Sequence, residues 1–62
     1  MCEANVYLLT NGKEELILKE ADIVRPQDDG LFMRNIFGEQ KTIKARISEI
    51  NLVNHKIVIE KI

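Results

Sequence analysis

The first two residues of the chain, Met1 and Cys2, carry the donors best suited to chemistry. The α-amine of Met1, the amide nitrogen of Cys2 and the Cys2 thiolate share one short stretch of backbone and can close fused five-membered chelate rings. If the methionine is removed, as a small second residue permits, the Cys2 amine and thiolate still form a bidentate N,S chelate. Such donors suit a late first-row ion that accepts square-planar geometry, Ni(II) or Cu(II) ahead of Zn(II) or Mg(II). An equally strong reading makes Cys2 a small apolar residue that opens a strand, since free cysteines are often buried for that reason alone. Spacing does not decide between the two. One thiolate per chain is too few for a selective metal site, but a two-fold dimer doubles every ligand and can bring two copies of one residue together at its axis.

The remaining reactive side chains offer little for catalysis. The single histidine, His55, sits in the turn Val53-Asn54-His55-Lys56, where a polar turn residue needs no further role. Cys2 and His55 could act as nucleophile and base only if the fold joined them, and nothing in the sequence requires it. The carboxylates Glu14-Glu15 and Asp28-Asp29 stand in or beside turns and read as solvated charge. Gly12, Gly30 and Gly38 are isolated, so there is no phosphate-binding loop. The chain is not expected to be an enzyme.

Positioning these residues falls to short strands. Cys2, Ala4, Val6 and Leu8 alternate with Glu3, Asn5 and Tyr7, the period of a half-buried strand. Asn11-Gly12 then predicts a type I′ hairpin, which needs positive φ at both central positions. Glu14 to Lys19 forms the second strand, with Leu16 and Leu18 inward, and Ala21 to Arg25 a further extended piece that stops at Pro26. Leu31 to Phe37 predicts a third strand, with Leu31, Met33 and Asn35 on one face and both Phe32 and Phe37 in the core. In the fourth, Thr42 to Leu52, the alternation of Ile43, Ala45 and Ile47 slips to Ile50 and Leu52, as a β-bulge would make it. A helical reading of this segment fits the isoleucine spacing, but the β-branched content and the flanking turns favour strand. Lys56 to Ile62 closes the chain. The expected fold class is all-β: residues 1–62 form a single domain, a small, strongly bent barrel of five to six strands of the Sm, SH3 or oligonucleotide-binding type.

Composition narrows the partners. Nine Lys and Arg against ten Asp and Glu give a net charge of -1, with the basic residues scattered. Nucleic-acid binding needs a basic patch, and Tyr7, Phe32 and Phe37 are the whole aromatic supply, so an RNA-binding barrel is the weakest of the readings. One cysteine cannot make an intrachain disulfide, which points to a reducing compartment. No basic region followed by an apolar stretch opens the chain, and no apolar run approaches the roughly 20 residues of a membrane span, so a cytoplasmic protein without membrane contact is expected. A 62-residue chain buries only about 60% of its unfolded surface, so association is expected to supply the rest.

With these features the chain resembles the CooT family of small nickel-binding proteins that serve carbon monoxide dehydrogenase maturation. The resemblance rests on the length, the opening Met1-Cys2-Glu3-Ala4-Asn5-Val6-Tyr7-Leu8, the Gly12-containing turn and the segment Glu14-Glu15-Leu16-Ile17-Leu18. It implies a small β-barrel, a homodimer, Cys2 as the Ni(II) ligand and a client nickel enzyme, carbon monoxide dehydrogenase. Hydrogenase-assembly chaperones also open with Met-Cys on a small barrel and use that cysteine to engage a metal centre and a client. They carry a proline shortly after the cysteine, where this chain has Asn5-Val6-Tyr7.

Overall fold

The computed structural model describes residues 3–62. Met1 and Cys2 lie outside the described residues. The chain runs through six strands: β1 (Ala4–Thr10), β2 (Lys13–Gln27), β3 (Gly30–Asn35), β4 (Gln40–Ile43), β5 (Ala45–Asn51) and β6 (Lys56–Lys61). They form one sheet in the order β4-β3-β2-β1-β6-β5. All neighbours are antiparallel except β1 and β6, which pair in parallel. The all-β expectation holds.

Asn11 and Gly12 adopt φ values of 53° and 78°, the left-handed conformation at both centres of the β1–β2 hairpin that the Asn-Gly pair predicts. The two extended pieces expected at Glu14 to Lys19 and Ala21 to Arg25 are one 15-residue strand. Glu20 stands between them with φ of 52°, so β2 pairs with β1 along its first half and β3 along its second. A single bent strand thereby belongs to both halves of the sheet.

The expected fourth strand also differs. It breaks at Lys44, and its two parts go to opposite edges of the sheet: β4 onto β3, β5 onto β6. The sheet is therefore strongly curved, but its hydrogen-bond ladder does not close into a barrel. The edges are joined through the chain at Lys44, where the Ile62 amide donates to the Lys44 carbonyl at 3.2 Å. Gly30, read from sequence as a simple turn glycine, is needed here for close approach. A Cβ at that position would stand 2.5 Å from the Ile43 carbonyl oxygen. The bulge expected in the fourth strand is present as a register shift between Ile47 and Glu49.

The inside of the curve holds Val6, Leu18, Leu31, Met33 and Ile59 with Ala21 and Ala45, all buried. Burying each large aliphatic contributes about 1.5–3 kcal/mol. Five apolar residues of the expected pattern lie elsewhere, each for a local reason. Leu16 is 41% exposed because the ladder shifts register between Val6 and Tyr7, pairing Leu18 with Val6 but Leu16 with outward-facing Tyr7. Phe32 faces outward under Arg25, whose guanidinium lies 5.6 Å from the ring centroid. Phe37 is 66% exposed because β3 ends at Asn35 and Phe37 belongs to the following turn. Beyond the bulge, Ile50 and Leu52 emerge from the core rather than entering it.

Candidate functional site at the N-terminal end of the sheet

The start of β1 lies where three other strands meet. Ala4 pairs with Ala21 after the Glu20 bend, Ala21 pairs with Asn35 at the end of β3, and Asn5 pairs with Lys56 at the start of β6. Two side-chain amides tie this end together. Asn5 donates its main-chain N–H to the His55 carbonyl at 2.9 Å and accepts, through Oδ1, the Glu20 N–H at 2.9 Å. It thereby braces two segments whose residues, Glu20 and His55, both hold φ of 52°, a conformation costing an L-residue about 1–2 kcal/mol.

The Glu20 carbonyl in turn accepts the Ile36 N–H at 3.1 Å, carrying the linkage to the turn after β3. Asn35, the buried polar side chain among the described residues, organises that turn. Its Oδ1 accepts the N–H groups of Phe37 at 3.1 Å and Glu39 at 2.9 Å, and its Nδ2 donates to Glu39 Oε1 at 2.6 Å. Both polar atoms of this buried amide therefore have partners.

Two recesses open on this end. A polar one of about 310 Å³ is bounded by Glu3, Asn5, Glu20 and His55. An apolar one of about 410 Å³ lies between the second half of β2 and β5, lined by Val24, Ile47, Ile50 and Ile57 together with Glu3 and Ala4. Glu3 and Ala4 directly follow Cys2 in sequence.

Two charged pairs stand near this end. Arg34 Nε and a terminal guanidinium nitrogen reach the two oxygens of Asp22 at 3.3 and 2.9 Å, and these hydrogen bonds hold the Asp22 carboxyl below the usual carboxylate range and push Arg34 up. Lys56 is paired with Glu14, whose hydrogen bond raises the ammonium above its ordinary value, and lies 5.1 Å from the Tyr7 ring centroid. Tyr7 thus faces outward, as expected, with a cation over its face.

No group of three or more His, Cys, Asp or Glu side chains that could hold a metal ion occurs among the described residues. The predicted metal-binding pair, Met1 and Cys2, lies outside them. Asn5, Glu20 and Asn35 gain structural importance that sequence reading missed. For Asn35 the signal was present, a polar residue in step with Leu31 and Met33; for Asn5, which alternates as an ordinary outward strand residue, there was none.

A solved structure matches this geometry over its full extent. The crystal structure of a candidate CooT from Carboxydothermus hydrogenoformans superimposes with a TM-score of 0.92 at 43% sequence identity, covering 98% of each chain. No curated protein matches this chain. The family model for the carbon monoxide dehydrogenase accessory protein CooT matches residues 1–60, so that the match takes in Met1 and Cys2 as well as all but the last residue of β6. This chain belongs to the CooT family of carbon monoxide dehydrogenase accessory proteins.

Proposed function

We propose that this protein is a metallochaperone, not an enzyme, that carries Ni(II) for the maturation of carbon monoxide dehydrogenase and binds the ion through Cys2 and the Met1-Cys2 main-chain nitrogens at the interface of a homodimer. The observation that carries this reading is the match of an accessory-protein family across residues 1–60, the terminal chelate included. The donor chemistry supports it: two copies supply two thiolates and backbone nitrogens, a set that Ni(II) accepts in square-planar geometry. The surroundings support a shared site as well. Ile50, Leu52 and Val53, which are 54, 80 and 87% exposed, stand at the end of the sheet where β1 begins, and clustered exposed apolar side chains mark interaction surfaces.

Native mass spectrometry with and without Ni(II) tests the proposal, reporting dimer mass, methionine retention and metal count together. One Ni(II) per dimer, with thiolate-to-nickel charge-transfer absorption on titration, is expected. Cys2→Ser should abolish both, whereas His55→Ala should leave them in place. Undiminished nickel affinity in Cys2→Ser would remove the central claim.

A further inference from the structure

The turn between β3 and β4 displays an apolar side chain and fixes it in place. Every main-chain N–H from Asn35 to Glu39 donates a hydrogen bond: Asn35 to the Glu39 carbonyl, Ile36 to the Glu20 carbonyl, Gly38 to the Asn35 carbonyl, and Phe37 and Glu39 to Asn35 Oδ1. Gly38 adopts φ of 86°, which lets the turn reverse within four residues. At its tip Phe37 is 66% exposed and shares a recess with Leu16 of β2, which is 41% exposed; Ile36, before it in the chain, is 39% exposed. The main chain that carries Phe37 is ordered before binding, so docking the ring does not have to order the turn, a cost that interface loops otherwise meet.

The rim of this patch states the partner's charge. Lys19 and Lys41 border the recess that Phe37 and Leu16 form. Glu39, its acid, is turned back onto Asn35 Nδ2. A two-fold contact of the patch with itself would set lysines from both copies together. Its apolar content, one phenylalanine with two half-covered aliphatics, is also far below the roughly 800 Å² per partner of a stable interface. The patch suits a transient contact with a different, acidic surface.

We infer that the Ile36-Phe37 turn is the docking element for the client protein, inserting Phe37 into an apolar pocket rimmed by acidic side chains. This rests on the carrier reading above and extends it to the partner's chemistry. The hydrogen-bond path from Asn5 through Glu20 to Ile36 fixes the turn relative to the start of β1. A client held by Phe37 therefore meets the end of the sheet at which β1 begins.

The test measures binding of the nickel-loaded protein to purified apo-carbon monoxide dehydrogenase by biolayer interferometry, beside nickel titration and native mass of every variant. Phe37→Ser is expected to weaken client binding at least tenfold while nickel stoichiometry, dimer mass and thermal midpoint stay at wild-type values. Lys19→Gln with Lys41→Gln should also weaken it and remove most of its dependence on salt. Wild-type client affinity in Phe37→Ser overturns the inference, as does a change in dimer mass, which would assign the patch to a second copy. Failure of wild-type protein to bind the client overturns it together with the choice of client. Loss of nickel binding in Cys2→Ser alongside intact, Phe37-dependent docking supports both readings, whereas retained nickel there defeats only the metal assignment.

Discussion

The two ends of the curved sheet are held by different means. At one end, where β3 begins and the chain crosses from β4 to β5, the junction is main chain: Gln27 pairs with Gly30, Leu31 with Ile43 and Ala45 with Lys61, and Ile62 donates to Lys44. No side-chain hydrogen bond takes part there among the described residues. At the other end the side-chain amides of Asn5 and Asn35 replace the ladder, two non-glycine residues hold left-handed conformations, and apolar side chains face solvent. The first arrangement leaves no room for a side chain at Gly30, where main chain meets main chain. The second keeps turns rigid while leaving their side chains free for display, the division of labour expected between a scaffold and the loops that carry function.

The contrast breaks first at Gly30. Gly30→Ala puts a Cβ 2.5 Å from the Ile43 carbonyl oxygen, against backbone that cannot swing aside as a side chain would. Overpacking of this kind costs about 3 kcal/mol, and urea denaturation should show it as a clear fall in midpoint. Nickel bound per folded dimer should not change. A wild-type midpoint would mean that the β4–β5 junction yields freely and that the tightness of this end is unimportant.

Next in size is Asn35. Asn35→Ala leaves the Phe37 and Glu39 N–H groups without their acceptor and should cost about 2 kcal/mol. Asn35→Asp is more discriminating. It keeps Oδ1 as acceptor but sets a carboxylate oxygen where Nδ2 now lies 2.6 Å from Glu39 Oε1. Two like charges so close raise the affinity of the pair for a proton. The folded variant then binds more protons than the unfolded one, so its stability deficit should shrink as pH falls from 7 to 5. A deficit constant over that range would show that Glu39 is not held against residue 35.

These two residues also mark what the sequence could and could not reveal. The strands with clean alternation were legible, as were the Asn11-Gly12 hairpin and the bulge after Ile47, because each is set by neighbours in sequence. Gly30 looked like any turn glycine because the carbonyl that excludes a side chain comes from Ile43, 13 positions on. Phe37 was read as core because an apolar residue next to Ile36 continues the strand pattern; nothing local says that Asn35 will end the strand and hold a turn instead. The bond between Asn5 and Glu20 spans 15 residues and has no local signal at all. The Met1-Cys2 chelate is the reverse case, an expectation that needs only two adjacent residues, both outside the described ones.

A smaller effect of opposite sign is expected at the strained residues. Glu20 and His55 hold φ of 52°, and glycine relieves that strain at the expense of a more flexible unfolded chain. Glu20→Gly and His55→Gly should each raise stability by about 0.5 kcal/mol, read as a higher thermal midpoint. Loss of stability in Glu20→Gly would indicate that its side chain, and not the Asn5 hydrogen bond to its N–H, holds the bend.

The smallest expected effect separates the two ends by acid. Asp22 is joined to Arg34 by two hydrogen bonds at the edge of the apolar recess, whereas Arg46 and Glu60, on β5 and β6, stand 3.7 Å apart and more exposed. Hydrogen bonding to Arg34 lowers the Asp22 carboxyl below its ordinary value of 3.8 in the folded chain. The sign follows directly: the unfolded chain binds the proton first, so the pair contributes stability at neutral pH that is lost as pH falls through 4 and below. Both residues are partly exposed, and solvent keeps such pairs weak. Urea midpoints taken at pH 6 and pH 3 should therefore show a slightly smaller acid-induced drop in Asp22→Asn than in wild type, with Glu60→Gln indistinguishable from wild type. An equal drop in Asp22→Asn and wild type would mean that Arg34 holds Asp22 no more firmly in solution than Arg46 holds Glu60, and the electrostatic difference between these two pairs would disappear.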